Sequence, residues 1–267
     1  MPRVRGGRPW GIPEHFPRDG SDSKPQDCGW MGASEWEAVA TEWAGFAASD
    51  PFFQRNASAF LGLLPAPPQC VVDVGCGEGR FDRLLAEIGY SVTGFDASPS
   101  LIALATAADP DGDYQVADAT SLPREDGSAD LVVSFQGLHA IRDLAGTTHE
   151  AYRVLRAEGS FCFAILHPIA TGGDYDRRDT QRRYILHNYV QEELVRRPLD
   201  GREITHYHRP VSAYIRALLA AGFLIKRVEE VTGRDDQQPI PMFLHIASVK
   251  GGRPESEGSA LAARGAA

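Results

Sequence analysis

Val71-Val72-Asp73-Val74-Gly75-Cys76-Gly77-Glu78-Gly79-Arg80 decides the fold. With Cys70 its first residues make a short buried-strand run. Its glycines make a turn, and a helix follows over Arg80–Ile88, stopped by Gly89. A glycine-rich turn between strand and helix lets a ligand touch bare backbone at the helix N-terminus. The spacing narrows the ligand. A dinucleotide loop needs G-x-G-x-x-G, and Arg80 stands where the last glycine belongs. No G-K-[ST] follows, which excludes a P-loop. What stands is D-x-G-x-G-x-G with Asp73 at the strand end. A carboxylate there repels a pyrophosphate and suits a ligand with an ammonium or hydroxyl groups.

Outward from this turn, strand and helix signals alternate. Ser91–Phe95 reads as a strand, and Ser98 caps a helix that begins at Pro99 and runs to about Ala108. Tyr114–Val116 is a weak strand and Leu131–Phe135 a clear one. Thr147 or Thr148 caps a helix through Leu155, and Ser160–Leu166 is a strongly apolar strand. This alternation predicts a parallel sheet with helices on both faces. Upstream, Trp36–Ala48 is an amphipathic helix, and Phe52–Leu64 is a second that ends at Pro65. Downstream come a helix over Ser212–Ala221 stopped by Gly222, then strands Leu224–Val231 and Met242–Val249 that pair antiparallel. The expected architecture is α/β and Rossmann-like: a seven-stranded, mostly parallel sheet with an antiparallel C-terminal hairpin. Residues 1–27 and 251–267 read as disordered tails around a single domain over 28–250.

Two more acids end strands. Asp96, in Gly94-Phe95-Asp96-Ala97-Ser98, is placed to accept both hydroxyls of a ribose. Asp118, in Val116-Ala117-Asp118-Ala119, is placed to bind an exocyclic amine. One such Asp is commonly a turn or cap residue; three beside this glycine turn form a pattern. The sequence here resembles the class I S-adenosylmethionine-dependent methyltransferases, in particular the compact small-molecule type common in actinobacteria. The resemblance rests on VVDVGCGEGR (71–80), GFDAS (94–98), VADATSLP (116–123), DLVVSFQGLH (130–139) and RVLRAEG (153–159), and is dense over 70–168. It implies S-adenosylmethionine as cofactor and S-adenosylhomocysteine as product. It also implies that Gly75 and Gly77 meet the methionine part and that Asp73 orders the ammonium side. Asp96, with Ala97 beside it, would hold the ribose; Asp118 and the backbone of Ala119 would read the adenine; Phe135 would lend a carbonyl to the ammonium. Arg55 is a candidate for the cofactor carboxylate. Such families usually read RVLRPGG where this chain has Arg156-Ala157-Glu158-Gly159.

Methyl transfer from a sulfonium needs alignment and exclusion of water more than it needs a catalytic dyad. A base is required only when the acceptor must lose a proton. Candidates are His139 after the fourth strand, His167 at the end of the fifth, and His206 and Tyr184 in the stretch 169–208. For each histidine the competing reading is a loop or cap hydrogen bond, and His208-Arg209-Pro210 reads as an anchor. The stretch 169–208 is rich in Arg, Tyr and His and poor in aliphatics, so it is expected to form a substrate cap outside the core. Its arginines interleave with acids, giving a solvated, salt-bridged lid. In the helical lid over 28–68, Trp30, Trp36, Trp43, Phe46, Phe52 and Phe53 read mostly as packing, but the enzymes this chain resembles roof their acceptor pockets with such an N-terminal aromatic helix, which suits an aromatic or apolar acceptor.

Composition limits partners. The 267 residues carry 27 basic and 36 acidic side chains, a formal charge of −9, which disfavours nucleic acid. The apolar run Ala217–Ile225 is too short to cross a bilayer, and no apolar stretch follows Arg3, Arg5 and Arg8 as in a secretory signal. The four cysteines are scattered without a C-x-x-C pair, so neither a disulfide framework nor a metal is expected. The expectation is a cytoplasmic monomer or homodimer acting on a small molecule by C-, N- or O-methylation. A cyclase or decarboxylase on the same fold, a macromolecular methyltransferase and a binding module are the alternatives.

Overall fold

The computed structural model describes residues 31–67, 69–175, 183–199, 202–232 and 240–251. The two expected tails, apart from Gly251, lie outside the described residues. Three helices lead in: α1 (Met31–Ala38), α2 (Ala40–Ser49) and α3 (Phe53–Leu61). The single helix expected over Trp36–Ala48 is thus two, broken at Val39, whose φ of −120° and ψ of 11° leave the helical region. Next come β1 (Cys70–Val74), α4 (Arg80–Glu87), β2 (Ser91–Asp96), α5 (Pro99–Ala108) and β3 (Asp113–Val116). They are followed by β4 (Ala129–Phe135), α6 (Leu144–Val154) and β5 (Leu155–Leu166). Ser98 caps α5 as predicted, its Oγ accepting from the Leu101 N–H at 3.2 Å. The cap of α6 is Asp143, not Thr147 or Thr148: its Oδ1 accepts from the Gly146 N–H at 2.8 Å, while both threonines lie buried inside the helix.

Beyond β5 the chain forms α7 (Pro168–Gly172), β6 (Gly173–Tyr175), β7 (Tyr184–Leu186), β8 (Glu193–Leu199) and β9 (Arg202–His208). It then returns through α8 (Val211–Ala221), β10 (Phe223–Thr232) and β11 (Pro241–Lys250). The main sheet has the order β10-β11-β5-β4-β1-β2-β3, with β11 antiparallel to both its neighbours and the other pairs parallel. The predicted seven-stranded sheet and edge hairpin are therefore present. The insertion makes two small antiparallel pairs, β6–β7 and β8–β9. The expectation that it stays out of the interior fails at β9, where Thr205, His206 and His208 are buried.

Side-chain alternation along the strands builds a core on each face. Val72, Val132, Phe161, Phe163 and Ile165 face α6 and α8 with Tyr214 and Leu218. Val71, Leu131, Val133, Cys162 and Ala164 face the other side with Phe60, Phe81 and Leu85. All are at most 4% exposed, and burial of each larger side chain contributes roughly 1.5–3 kcal/mol. Both layers leave the carboxyl ends of β1, β2 and β4 side by side, where open parallel sheets bind ligands.

Candidate active site

The glycine turn turns its first amides inward. The N–H groups of Gly75 and Cys76 both donate to the Phe95 carbonyl, at 2.8 and 3.0 Å, and the Gly77 N–H donates to Asp96 Oδ2 at 3.0 Å. These amides are spent inside the fold, so they cannot cradle a phosphate. Gly75 and Gly77 take φ of +78° and +58°, a region costly for any residue with a Cβ. Gly75 also abuts the loop after β4: a Cβ on it would stand 3.2 Å from Gly137 Cα.

Asp96 ends β2 half-buried. Its Oδ1 accepts from the Ser98 N–H at 2.9 Å, opposite the Gly77 bond on Oδ2. Each oxygen keeps a lone pair for a ligand hydroxyl. Burial pushes this carboxyl up from the ordinary Asp range, and the N–H groups of Ser98, Gly77 and Ala97 work against that. Ala97 is exposed beside it. Asp118 is exposed, and its Oδ1 accepts from the Thr120 N–H and hydroxyl at 2.8 and 2.6 Å. That is a local turn which leaves Oδ2 open, with Ala119 half-buried next to it.

Asp73 is placed differently from its implied role. It is 1% exposed and lies under the turn against Asp82 of α4, itself 3% exposed. Burial pushes Asp73 well above the carboxylate range, helped by the Asp82 and Asp96 charges and opposed by the Phe135 N–H. Burial likewise raises Asp82, to about 6, with its contact to Asp73 opposing. Burial thus favours the protonated form of both carboxyls, and neither stands open at the ligand face. Asp82 occupies the notch left by Gly94, whose Cβ would stand 2.2 Å from Asp82 Oδ2.

Over the turn lies an aromatic roof. Trp36 and Trp43 meet edge to face at 5.0 Å, Phe46 packs 5.5 Å from Trp43, and Trp43 Nε1 would be 3.8 Å from a Cβ on Gly77. Trp36 Nε1 is buried without a hydrogen-bond partner among the described residues. The roof is latched on both sides. Glu37 accepts from Ser98 Oγ, from Ser100 Oγ and from the Ser100 N–H at 3.0 Å, and these bonds lower its pKa. Arg202 of β9 donates to the Ala38 carbonyl at 2.6 Å and pairs with Glu42 at 2.7 Å, while Thr205 donates to Glu35. Arg80 donates to the Ala47 carbonyl and lies 3.6 Å over the Phe53 ring. Arg55 faces elsewhere, bonded to Thr232 Oγ1 at 2.8 Å, away from the turn. Glu37→Ala is expected to release α1 from the α5 terminus. Hydrogen exchange should then speed up about tenfold over residues 31–49, as for a lost cap of about 1 kcal/mol, with β1 and β4 unchanged.

The structure divides the candidate bases. His167 caps α7: its Nδ1 accepts from the Ile169 N–H at 3.0 Å and its Nε2 lies 2.9 Å from Glu230 Oε1, so both nitrogens are occupied. The Tyr184 hydroxyl donates to the Ile169 carbonyl. His208 anchors the insertion through Thr171 Oγ1 at 2.7 Å and the Tyr189 carbonyl at 3.2 Å. His139 and His206 come together instead, both buried, with ring centroids 5.8 Å apart. Burial lowers them to about 3 and about 2, with Arg197 acting on both, Arg209 on His139, and His139 and His208 on His206. Burial thus favours the neutral form of both rings and weakens them as bases. The Tyr207 N–H donates to the His139 carbonyl at 2.7 Å, tying β9 to the loop after β4. Sequence reasoning missed Glu37, Asp82, Arg202 and Gln136. Glu37 could not be found locally, because its partners lie about sixty residues downstream.

Residues 72–163 match the family model described as a methyltransferase domain. A solved S-adenosylmethionine-dependent methyltransferase from Mesorhizobium loti is 31% identical, with a TM-score of 0.62 over 72% of this chain and 96% of that one. The 2-methyl-6-phytyl-1,4-hydroquinone methyltransferase of Synechocystis sp. is 33% identical over 52% of this chain and 42% of its own length. The malonyl-[acyl-carrier protein] O-methyltransferase of Serratia marcescens is 31% identical over 38% of this chain and 39% of its own. The chain thus spans less than half the length of these curated relatives.

Proposed function

We propose, from the premise that this chain belongs to the class I S-adenosylmethionine-dependent methyltransferases, that it methylates a small, largely apolar and aromatic acceptor. The observation that carries this reading is the half-buried Asp96, fixed by two backbone N–H groups with a lone pair left on each oxygen, under a tryptophan roof. Asp96 would hold the ribose hydroxyls, Asp118 and Ala119 the adenine edge, and Gly75, Gly77 and the Phe135 carbonyl the amino-acid part. When bound, the cofactor supplies a methyl already activated by its sulfonium. The chain's own task is then to align the acceptor and keep water out.

The α1–α2 roof and the 169–208 insertion act in this reading as two walls of one pocket. Their mutual latch through Arg202, Glu42, Glu35 and Thr205 supports that role. Ring surfaces suit an aromatic acceptor, in keeping with the hydroquinone in one relative's name. His139 and His206 orient the acceptor as neutral hydrogen-bonding groups. No helix of the described residues is long and apolar enough to cross a membrane. The test is incubation with methyl-labelled S-adenosylmethionine and a panel of small aromatic compounds. Labelled product with equimolar S-adenosylhomocysteine is expected. Conversion of an acceptor without S-adenosylhomocysteine would place the chain with the cyclases and decarboxylases instead.

A further inference from the structure

We propose that Gln136, His139 and His206 form an oxygen-binding subsite that takes the acceptor as an ionised phenol, enol or carboxylic acid, so that the methyl goes to oxygen. The inference rests on the methyltransferase reading and names the acceptor class for the same site.

Gln136 is the first residue after β4, and it stands in the left-handed region at φ +61°. Outside glycine that conformation costs about 1–2 kcal/mol and persists only where the surroundings enforce it. They do so here. The Gln136 N–H donates to the Ala164 carbonyl at 2.8 Å. The next residue, Gly137, is pressed so close to the glycine turn that a Cβ on it would stand 2.9 Å from the Val74 and Gly75 carbonyls. The bend therefore holds Gln136 at the level of the turn that, in this reading, binds the methionine part of the cofactor.

Three buried side-chain nitrogens have no hydrogen-bond partner among the described residues: Gln136 Nε2, His139 Nδ1 three residues on in the same loop, and His206 Nε2, whose ring meets that of His139. Leaving each unsatisfied costs about 1–3 kcal/mol, and a ligand that supplied lone pairs would recover it. The amide nitrogen only donates, and a neutral imidazole donates from whichever nitrogen carries its proton. The nearby charge has one dominant sign. Arg209 follows β9 and Arg197 comes from β8, and both bear on His139. The acids facing the cluster are Glu35 of α1, already bonded to Thr205, and the exposed Glu192, 3.8 Å from Arg209. With both imidazoles in the tautomer that donates from these nitrogens, such a positive, water-poor corner stabilises an oxyanion and repels an ammonium. An amine or indole N–H would bring further hydrogens to groups that already donate.

The proton balance follows. With both imidazoles held toward the neutral form by burial, the acceptor loses its proton to solvent before it is aligned. An oxygen lone pair then forms the O–CH3 bond as the S–CH3 bond breaks, and that electron pair stays on sulfur. An oxyanion and a sulfonium become an ether or ester and a thioether.

The experiment uses the full chain saturated with S-adenosylhomocysteine and a panel of chromogenic oxygen acids headed by 4-nitrophenol, read by phenolate absorbance against pH. Bound probe is expected to ionise about one pH unit lower than free probe. Gln136→Leu should return it to its solution value, with S-adenosylhomocysteine affinity within about twofold of wild type. In a parallel arm, methyl-labelled cofactor is offered to matched phenols, carboxylic acids, anilines and indoles, and label is expected on oxygen. An unchanged or raised pKa of bound probe, label found only on nitrogen or carbon, or no oxygen acid binding to protein that binds S-adenosylhomocysteine each overturn the subsite. Failure to bind S-adenosylhomocysteine at all is a different result, since it removes the methyltransferase reading itself.

Discussion

Asp96→Ala is expected to weaken S-adenosylhomocysteine binding by roughly 10²–10⁴-fold in calorimetry. Two hydrogen bonds from ribose hydroxyls to a carboxylate would be lost, each worth about 1.5–3 kcal/mol. The same carboxylate fixes the glycine turn: without it the Gly77 and Ser98 N–H groups lose their acceptors, and the turn that meets the ligand loses its tie to β2. Asp96→Asn separates these contributions. A carboxamide keeps one oxygen acceptor and nearly the same shape, so its loss should fall between wild type and Asp96→Ala. Binding by the alanine variant within about threefold of wild type would mean that the ribose is not held at the end of β2.

The main sheet was legible because its signals are local and repeated. A run such as Val71–Val74 or Phe161–Ile165 buries both faces of a strand, and glycines at the right offsets end the helices, as Gly222 does at φ +100°. The acids Asp73, Asp96 and Asp118 stood out for the same reason, each lying at or close to the carboxyl end of a strand. What the sequence hid depends on distance. Val39 gives no breaker signal, and α1 parts from α2 because the chain must wrap between the α5 terminus and β9. The candidate bases were chosen by residue type and strand position. The ring nitrogens of His167 are spent on a cap and on Glu230, a partner 63 residues away that no local pattern reveals. His139 and His206 were separate candidates, and their pairing and depth, which disfavours a protonated ring, exist only once β9 folds under the roof. Gln136 carries its signal in a backbone angle and not in its residue type.

Asp82→Asn is expected to make the protein more stable at neutral pH and to leave it unchanged in acid. Asp82 is buried against Asp73 and titrates near 6 in the folded chain, above the ordinary carboxylate range it returns to on unfolding. Between about pH 4 and pH 6 the folded state therefore keeps a proton that the unfolded state has released. Stability falls as pH rises through that window and stays lower above it, by about 3 kcal/mol. Asparagine is nearly isosteric and carries no charge to desolvate. Its amide can donate to the Asp73 carboxyl beside it and fits the notch that Gly94 leaves open. The gain should appear as a rise in Tm on the order of 6–12 °C at pH 8, shrinking to nothing by about pH 4. An equal gain at both pH values would trace the effect to packing. A loss of stability at pH 8 would mean that the charge on Asp82 is already compensated in the fold.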